Sequence, residues 1–238
     1  MTRVLASVRS ASEALLALAG GADLIDAKDP SHGALGALEP QAIREIVAAV
    51  AGVRPVSATA GDLPLDPRLI VSAAERIADT GVDLVKIGFF AGAERTACLP
   101  PLELIAHRQP LVAVLFADQD PDLELIARLA GAGFAGVMLD TADKTRGSLT
   151  VQADLSLLAD FVTQGRRHGL LTGLAGSLSL GDLDALLPLG ADYLGFRRAL
   201  CADGDRRGEL EPARLHALVA TVRAGFLPPS HLHSASTR

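Results

Sequence analysis

Lysine is a residue type that can do covalent chemistry, and it is rare in this sequence. Of the 22 Lys and Arg residues, only Lys28, Lys86 and Lys144 are lysine. An ammonium group on a flexible stem can lose its proton when desolvated and then attack a carbonyl, whereas a guanidinium cannot. Each lysine lies at, or just beyond, the end of an apolar segment typical of a buried strand. This predicts an amine-based active site, because lysines left over from a simple arginine bias, the alternative, would scatter over exposed helix faces.

Two aspartates accompany the lysines. Asp26 precedes Lys28 by two residues on a strand-like segment and therefore points to the same side. Asp140 ends another such segment, four residues before Lys144. We expect burial and neighbouring cations to lower the pKa of one lysine towards neutrality, with a second lysine or a carboxylate carrying protons. The alternative is a set of structural ion pairs, which contribute little stability when fully buried.

Strand-like and helix-like segments alternate along the chain, which predicts the fold that positions these side chains. Gly21, Gly81 and Gly190 each begin a Gly-Ala/Val-Asp step from a helix end into an apolar run. Eight β-then-α units predict one domain, a TIM (β/α)8 barrel of the α/β class over 1–226, with 227–238 as a flexible tail. A doubly wound open sheet is the alternative.

The predicted elements have the following bounds. The strands are Val4–Val8, Leu24–Lys28, Pro55–Ala60, Leu84–Phe90, Leu111–Asp118, Gly136–Thr141, Leu171–Gly176 and Tyr193–Arg198. The helices are Ser12–Ala19, Gln41–Val50, Pro67–Asp79, a stretch within Glu94–His107 interrupted by Pro100 and Pro101, Asp122–Ala130, Ala153–His168, Leu180–Pro188 and Pro212–Ala224. In this arrangement Lys28 closes the second strand, Lys86 lies in the fourth and Lys144 lies just after the sixth. Alternate barrel strands share layers of inward side chains, so we expect the three amines to meet at the carboxyl-end mouth.

A phosphate site is predicted beside them. The seventh strand ends at Gly176 and Ser177, and the eighth contains Gly195 and ends near Arg197. The loops after these two strands commonly bind phosphate through backbone N–H groups in TIM barrels. Small residues let a phosphate approach the backbone, and Arg197 could neutralise it. The stretch Gly204–Gly208 adds further charge or is an exposed turn.

Composition narrows the class of protein. A net charge of −6, an aromatic content of 3% and the absence of Trp disfavour nucleic-acid binding. No apolar run is long enough to cross a bilayer, and no signal peptide precedes the first strand. Two cysteines make no disulfide framework, so we expect a cytoplasmic protein. The six histidines show no ligand spacing, so no metal site is predicted.

Short motifs over nearly the whole chain resemble those of (5-formylfuran-3-yl)methyl phosphate synthases, TIM-barrel enzymes that begin methanofuran assembly. Each motif is short, but together they are specific. The arginine-rich, lysine-poor composition favours a bacterial member. The matching segments are Ile25–Pro30 with Gly33–Gly36, Val56–Asp62, Val85–Gly88, Met138–Ala142 with Lys144, Leu174–Ser177 and Gly195–Arg197.

The resemblance implies condensation of two glyceraldehyde 3-phosphate molecules into 4-(hydroxymethyl)-2-furancarboxaldehyde phosphate, with no metal or organic cofactor. Lys28 would be the Schiff-base lysine and Lys86 the proton acceptor, supported by Asp26, Asp140 and Lys144 as acid–base residues. The implied steps are imine formation and enolisation at one triose, aldol attack on the second, phosphate loss, ring closure and dehydration. The partner is thus a phosphorylated triose, and we expect a homo-oligomer.

Two other functions fit the residues. Another class I Schiff-base aldolase, acting on a phosphorylated sugar or keto acid, would share Lys28 but release an uncyclised product. A non-catalytic barrel that binds a sugar phosphate would form no covalent adduct at all.

Overall fold

A closed parallel barrel forms the centre of the molecule. The computed structural model describes residues 1–92 and 95–225. Its strands are β1 (Arg3–Val8), β2 (Leu24–Ala27), β3 (Val56–Thr59), β4 (Leu84–Gly88), β5 (Leu111–Phe116), β6 (Gly136–Asp140), β7 (Leu171–Leu174) and β8 (Tyr193–Phe196). Each strand pairs in parallel with the next, and β8 pairs with β1. The predicted TIM barrel is therefore confirmed and the open sheet excluded; the predicted tail at 227–238 lies outside the described residues.

Helices follow the strands and cover the outside of the barrel. In the described part of the chain they are α1 (Ala11–Ala19), α2 (Pro40–Val50), α3 (Pro67–Ala78), α4 (Leu99–Ala106), α5 (Leu125–Gly131), α6 (Leu149–Gln152), α7 (Leu155–Arg167), α8 (Leu183–Leu186) and α9 (Pro212–Ala224). The prediction at α4 was wrong in one respect. Pro100 and Pro101 do not interrupt that helix but lie in its first turn, where a missing N–H costs no hydrogen bond. The predicted helix Ala153–His168 begins only at Leu155, after the separate turn α6.

An apolar floor closes the barrel beneath its mouth. Leu5, Leu24, Met138 and Tyr193 pack together although they come from strands that are not all neighbours. Such strands can meet only across the barrel interior, so these side chains fill it. Lys86 borders both this apolar interior and the mouth above it. The apolar interior therefore keeps water away from the side of the charged groups that faces the barrel centre.

No helix among the described residues has the length and apolar character that a membrane crossing requires.

Candidate active site

One cavity at the carboxyl ends of the strands gathers all the side chains and glycines predicted for the site. We call it the inner cavity. Its lining residues come from β1, β2, β4, β6, β7, β8 and the loops that follow them. They include Asp26, Lys28, Lys86, Asp140, Lys144, Gly176, Ser177, Gly195 and Arg197. The sequence thus predicted which residues meet here, and the structure supplies their mutual geometry.

Asp140 is the centre of the upper charged group. Its carboxylate accepts a hydrogen bond from Lys144 Nζ at 2.5 Å and from the Thr141 N–H at 2.8 Å, and lies 3.6 Å from Lys28 Nζ. Burial by itself would raise the pKa of this carboxyl. The ammonium groups of Lys144 and Lys28 outweigh burial and hold the pKa of Asp140 well below its ordinary value. Asp140 is therefore an anion that two amines share.

Lys28 is the amine with the perturbed pKa. Its side chain is only 11% exposed. Burial lowers the pKa of Lys28 from 10.5 to about 8; Asp140 opposes the shift, while the cations Lys144 and Lys86 reinforce it. With this pKa, roughly a tenth of the group is the free amine at pH 7 and about half at pH 8. The free amine is the form that attacks a carbonyl. The geometry thus supplies a nucleophile without a separate base.

The lower charged group pairs Lys86 with Asp26. Lys86 Nζ lies 3.0 Å from Asp26 Oδ2, and both side chains are almost completely buried. The hydroxyls of Ser57 and Ser7 also donate to Asp26, at 2.6 and 3.2 Å. Ser7 and Ser57 are the register partners of Asp26 on β1 and β3. Sequence reasoning missed both serines, although a serine within each of the two apolar strands that flank Asp26 was a usable signal.

The loop that follows Lys28 is fixed from the neighbouring strand. Asp62, after β3, accepts hydrogen bonds from the N–H groups of Ala34 and Leu35 at 2.7 and 2.6 Å. The carbonyl of Gly36 accepts from the Asp29 N–H within the loop and from a β3 threonine hydroxyl. A Cβ at Gly36 would lie 2.4 Å from the Asp29 carbonyl oxygen, so only glycine closes this turn. The loop is therefore held in one conformation around Lys28.

The loop that carries Lys144 is fixed in the same way from β5. Asp118 accepts hydrogen bonds from the consecutive N–H groups of Ala142 and Asp143, each at 2.8 Å. These bonds set the path of the backbone just before Lys144. Asp62 after β3 thus fixes the loop that follows Lys28, and Asp118 after β5 fixes the loop that carries Lys144.

The β7 loop has the backbone form of an anion site. Gly176 has φ +119° and Ser177 has φ +49°. Within the described residues, neither of their N–H groups donates a hydrogen bond. A Cβ at Gly176 would lie 2.9 Å from a methyl carbon of Thr141 and 3.2 Å from the Thr141 nitrogen, so glycine is required there. Successive free N–H groups in such a turn form a nest for an anion.

Arg197 borders the inner cavity, but the protein itself holds its guanidinium. Nη1 and Nη2 bind the Glu13 carboxylate at 2.5 and 3.1 Å. Nε donates to the Arg206 carbonyl and Nη2 to the Gly208 carbonyl, at 2.8 and 2.6 Å, and Nη1 also donates to the Ser7 carbonyl. Phosphate binding by Arg197 stays a prediction, which these contacts do not favour. The contacts instead fix the loop that carries Arg206.

Arg206 is a cation at the mouth that sequence reasoning did not single out. It borders the inner cavity and donates from Nη2 to the Gly33 carbonyl at 3.0 Å. Its position in Gly204–Gly208 was visible in the sequence, but nothing there distinguished it from Arg207. Among the described residues, no group of three or more His, Cys, Asp or Glu side chains could hold a metal ion.

Solved structures confirm the architecture. Phosphoribosyl anthranilate isomerase from Thermus thermophilus superposes with a TM-score of 0.65 at 17% identity, covering 94% of this chain and 99% of that one. Dihydrodipicolinate synthase from Bacillus clausii gives a TM-score of 0.65 at 14% identity, over 94% of this chain and 74% of that one. At these identities the likeness concerns the fold alone.

Sequence relatives are more informative. A protein of the bacterium Methylorubrum extorquens, provisionally named (5-formylfuran-3-yl)methyl phosphate synthase, is 49% identical over 223 residues, covering 94% of this chain and 92% of that protein. The (5-formylfuran-3-yl)methyl phosphate synthase of Methanopyrus kandleri is 36% identical over 217 residues, covering 86% and 91%. The family model described as 4-HFC-P synthase matches residues 4–219. The chain therefore belongs to the 4-HFC-P synthase family.

Proposed function

We propose that this protein condenses two molecules of glyceraldehyde 3-phosphate into 4-(hydroxymethyl)-2-furancarboxaldehyde phosphate, an early step of methanofuran biosynthesis, through a Schiff base on Lys28. The observation that carries the proposal is the buried Lys28 amine, whose pKa of about 8 lies well below that of an exposed lysine. The names of the family and its relatives support the product. We expect the reaction to take place in the cytoplasm.

The first step is imine formation. The neutral amine of Lys28 attacks the aldehyde carbon of one triose, and the resulting carbinolamine loses water. The departing hydroxyl needs a proton. Lys144 can supply it because its ammonium lies 2.5 Å from Asp140, the carboxylate that Lys28 also approaches. Asp140 stays ionised and stabilises the iminium that forms, since neighbouring cations keep its pKa low.

Enolisation and carbon–carbon bond formation follow. The iminium acidifies the adjacent carbon, and Lys86 takes the proton from it after passing its own proton to Asp26, 3.0 Å away. The resulting enamine attacks the second triose. Two trioses then give one furan aldehyde phosphate, one inorganic phosphate and two water molecules, so atoms balance without an oxidant or reductant. The free N–H groups of Gly176 and Ser177 can hold one phosphate during these steps.

Trapping with borohydride tests the proposal. The wild type is mixed with glyceraldehyde 3-phosphate and sodium borohydride, and the modified residue is located by mass spectrometry. In parallel, absorbance of the furan aldehyde is followed without reductant. We expect a reduced adduct on Lys28 and furan formation in the wild type, and neither with Lys28→Arg.

Each alternative function has its own outcome in this experiment. An adduct on Lys28 without furan absorbance would favour another class I aldolase. Absence of any adduct would favour a sugar-phosphate-binding barrel. Full furan formation by Lys28→Arg would remove Lys28 from the mechanism. The control for a substitution far from the cavity is Arg108→Gln, which changes an exposed residue paired with Glu75 and should behave as the wild type.

A further inference from the structure

A second cavity opens beside the inner one at the barrel mouth. We call it the outer cavity; the β2 and β6 loops and the segment 198–207 surround it. Lys144, Ser177, Arg198 and Arg206 border both cavities, so the two are continuous. A ligand in the outer cavity would therefore lie next to a molecule bound at Lys28.

Arg206 is the half-buried arginine that borders both cavities, and in the described part of the chain its charge has no carboxylate partner. The arginines nearby are held differently: Arg197 binds Glu13, and Arg207 lies 3.6 Å from Asp205. Arg198 is exposed to solvent and donates to the Gly204 carbonyl. Within the described residues Arg206 makes no ion pair, and its guanidinium donates only to the Gly33 carbonyl. The side chain is half-buried, and burial lowers the pKa of Arg206 while Asp140 and Asp62 oppose that shift.

A half-buried guanidinium without a counter-ion is costly, because part of its hydration is lost and little replaces it. An anion bound in the cavity would supply the missing partner. Arg206 Nη2 has two hydrogens and donates one to the Gly33 carbonyl, so its other hydrogen stays available together with the parallel Nε or Nη1 donor beside it. Two parallel donors of this kind suit the oxygens of a phosphate. The backbone carbonyl of Arg206 is held by Arg197 Nε at 2.8 Å, so the donor is already in place.

We infer that Arg206 and the outer cavity bind the phosphate group of a second triose phosphate, while the first one is attached to Lys28. This inference rests on the proposed function, in which each of two substrates brings its own phosphate. The two dianions repel each other and need separate sites. The nest at Gly176 and Ser177 provides one, and Arg206 provides the other.

Phosphate binding tests the site without reference to catalysis. Equilibrium dialysis with radiolabelled inorganic phosphate should give two ions per wild-type chain and one per Arg206→Gln chain. Arg206→Lys should keep the second ion with weaker affinity, since it retains the charge but not the two parallel donors. Arg108→Gln, which removes a distant arginine, should bind two ions. One ion in the wild type, or two in Arg206→Gln, would overturn the inference.

Kinetic measurements then distinguish binding of the second triose phosphate from binding of the first. With Arg206→Gln, the concentration of glyceraldehyde 3-phosphate that half-saturates the Lys28 adduct should stay within twofold of wild type. The concentration that half-saturates furan formation should rise by about 10- to 100-fold, as expected for a lost charge-assisted hydrogen bond pair. An equal loss in both would make Arg206 a support for the Lys28 loop and overturn the assignment. Absence of an adduct in the wild type would refute the proposed function, while the phosphate count would still decide the site.

Discussion

Replacing Asp140 by asparagine should lower the pKa of Lys28, and replacing Lys144 by methionine should raise it. Asp140 Oδ2 lies 3.6 Å from Lys28 Nζ. At that distance unit charges attract by about 1 kcal/mol in water and roughly 5 kcal/mol at an effective dielectric constant near 20. Loss of the carboxylate charge therefore lowers the pKa by about 1 to 3 units. The Lys144 ammonium repels the Lys28 ammonium, so its removal acts in the opposite direction.

The rate of adduct formation as a function of pH measures this pKa. Each variant is mixed with glyceraldehyde 3-phosphate and cyanoborohydride, and the adduct is quantified by intact-protein mass spectrometry. The wild-type rate should rise with pH around a midpoint near 8. Asp26→Asn is the matched control: its carboxylate pairs with Lys86 and has the smallest influence on Lys28, so its midpoint should move less than that of Asp140→Asn. Midpoints that move in the same direction in Asp140→Asn and Lys144→Met would refute this electrostatic reasoning.

Three further predictions concern stability and the loops. The pKa of Lys28 is about 8 in the folded protein, against an ordinary value of 10.5. The charged Lys28 therefore lowers the free energy of unfolding by its full amount below pH 8, and this loss disappears as the pH rises to 10.5. The stability advantage of Lys28→Met over wild type in urea unfolding should therefore fall by roughly 3 kcal/mol across that window. Asp62→Ala should cost about 1 to 2 kcal/mol and slow adduct formation, because two N–H groups of the Lys28 loop lose their acceptor. Gly176→Ala should weaken phosphate binding in dialysis, because its Cβ would press on Thr141 at a φ of +119°.

Matched variants separate these effects from general loss of stability. Asp66→Ala removes a helix cap near Asp62 and should cost about 1 kcal/mol without slowing adduct formation. Gly52 also has a positive φ, but an added Cβ there would meet nothing within 4 Å, so Gly52→Ala should leave phosphate binding unchanged. Parallel curves of stability against pH for wild type and Lys28→Met would contradict the pKa assignment. Equal phosphate binding by Gly176→Ala and wild type would contradict the nest.

The sequence predicted most of the fold because the barrel is built from a local pattern. Alternating apolar runs and amphipathic segments, separated by Gly-Ala/Val-Asp steps, give the order of strands and helices and their approximate bounds. Errors occurred where a local rule has a positional exception. A proline breaks a helix when it lies in the interior but is well tolerated in the first turn. Pro100 lies in the first turn because α4 begins at Leu99, and the sequence alone did not show where the helix begins.

The sequence by itself also determined which amines meet, because even-numbered strands of a closed barrel aim Lys28 and Lys86 at one mouth. Tertiary structure alone decided how the charges are shared. Arg197 binds Glu13, which is far away in the chain, and among the residues that the structure describes Arg206 has no counter-ion. Pairing of this kind depends on distances of a few ångströms between loops, and the spacing of residues along a chain does not contain those distances.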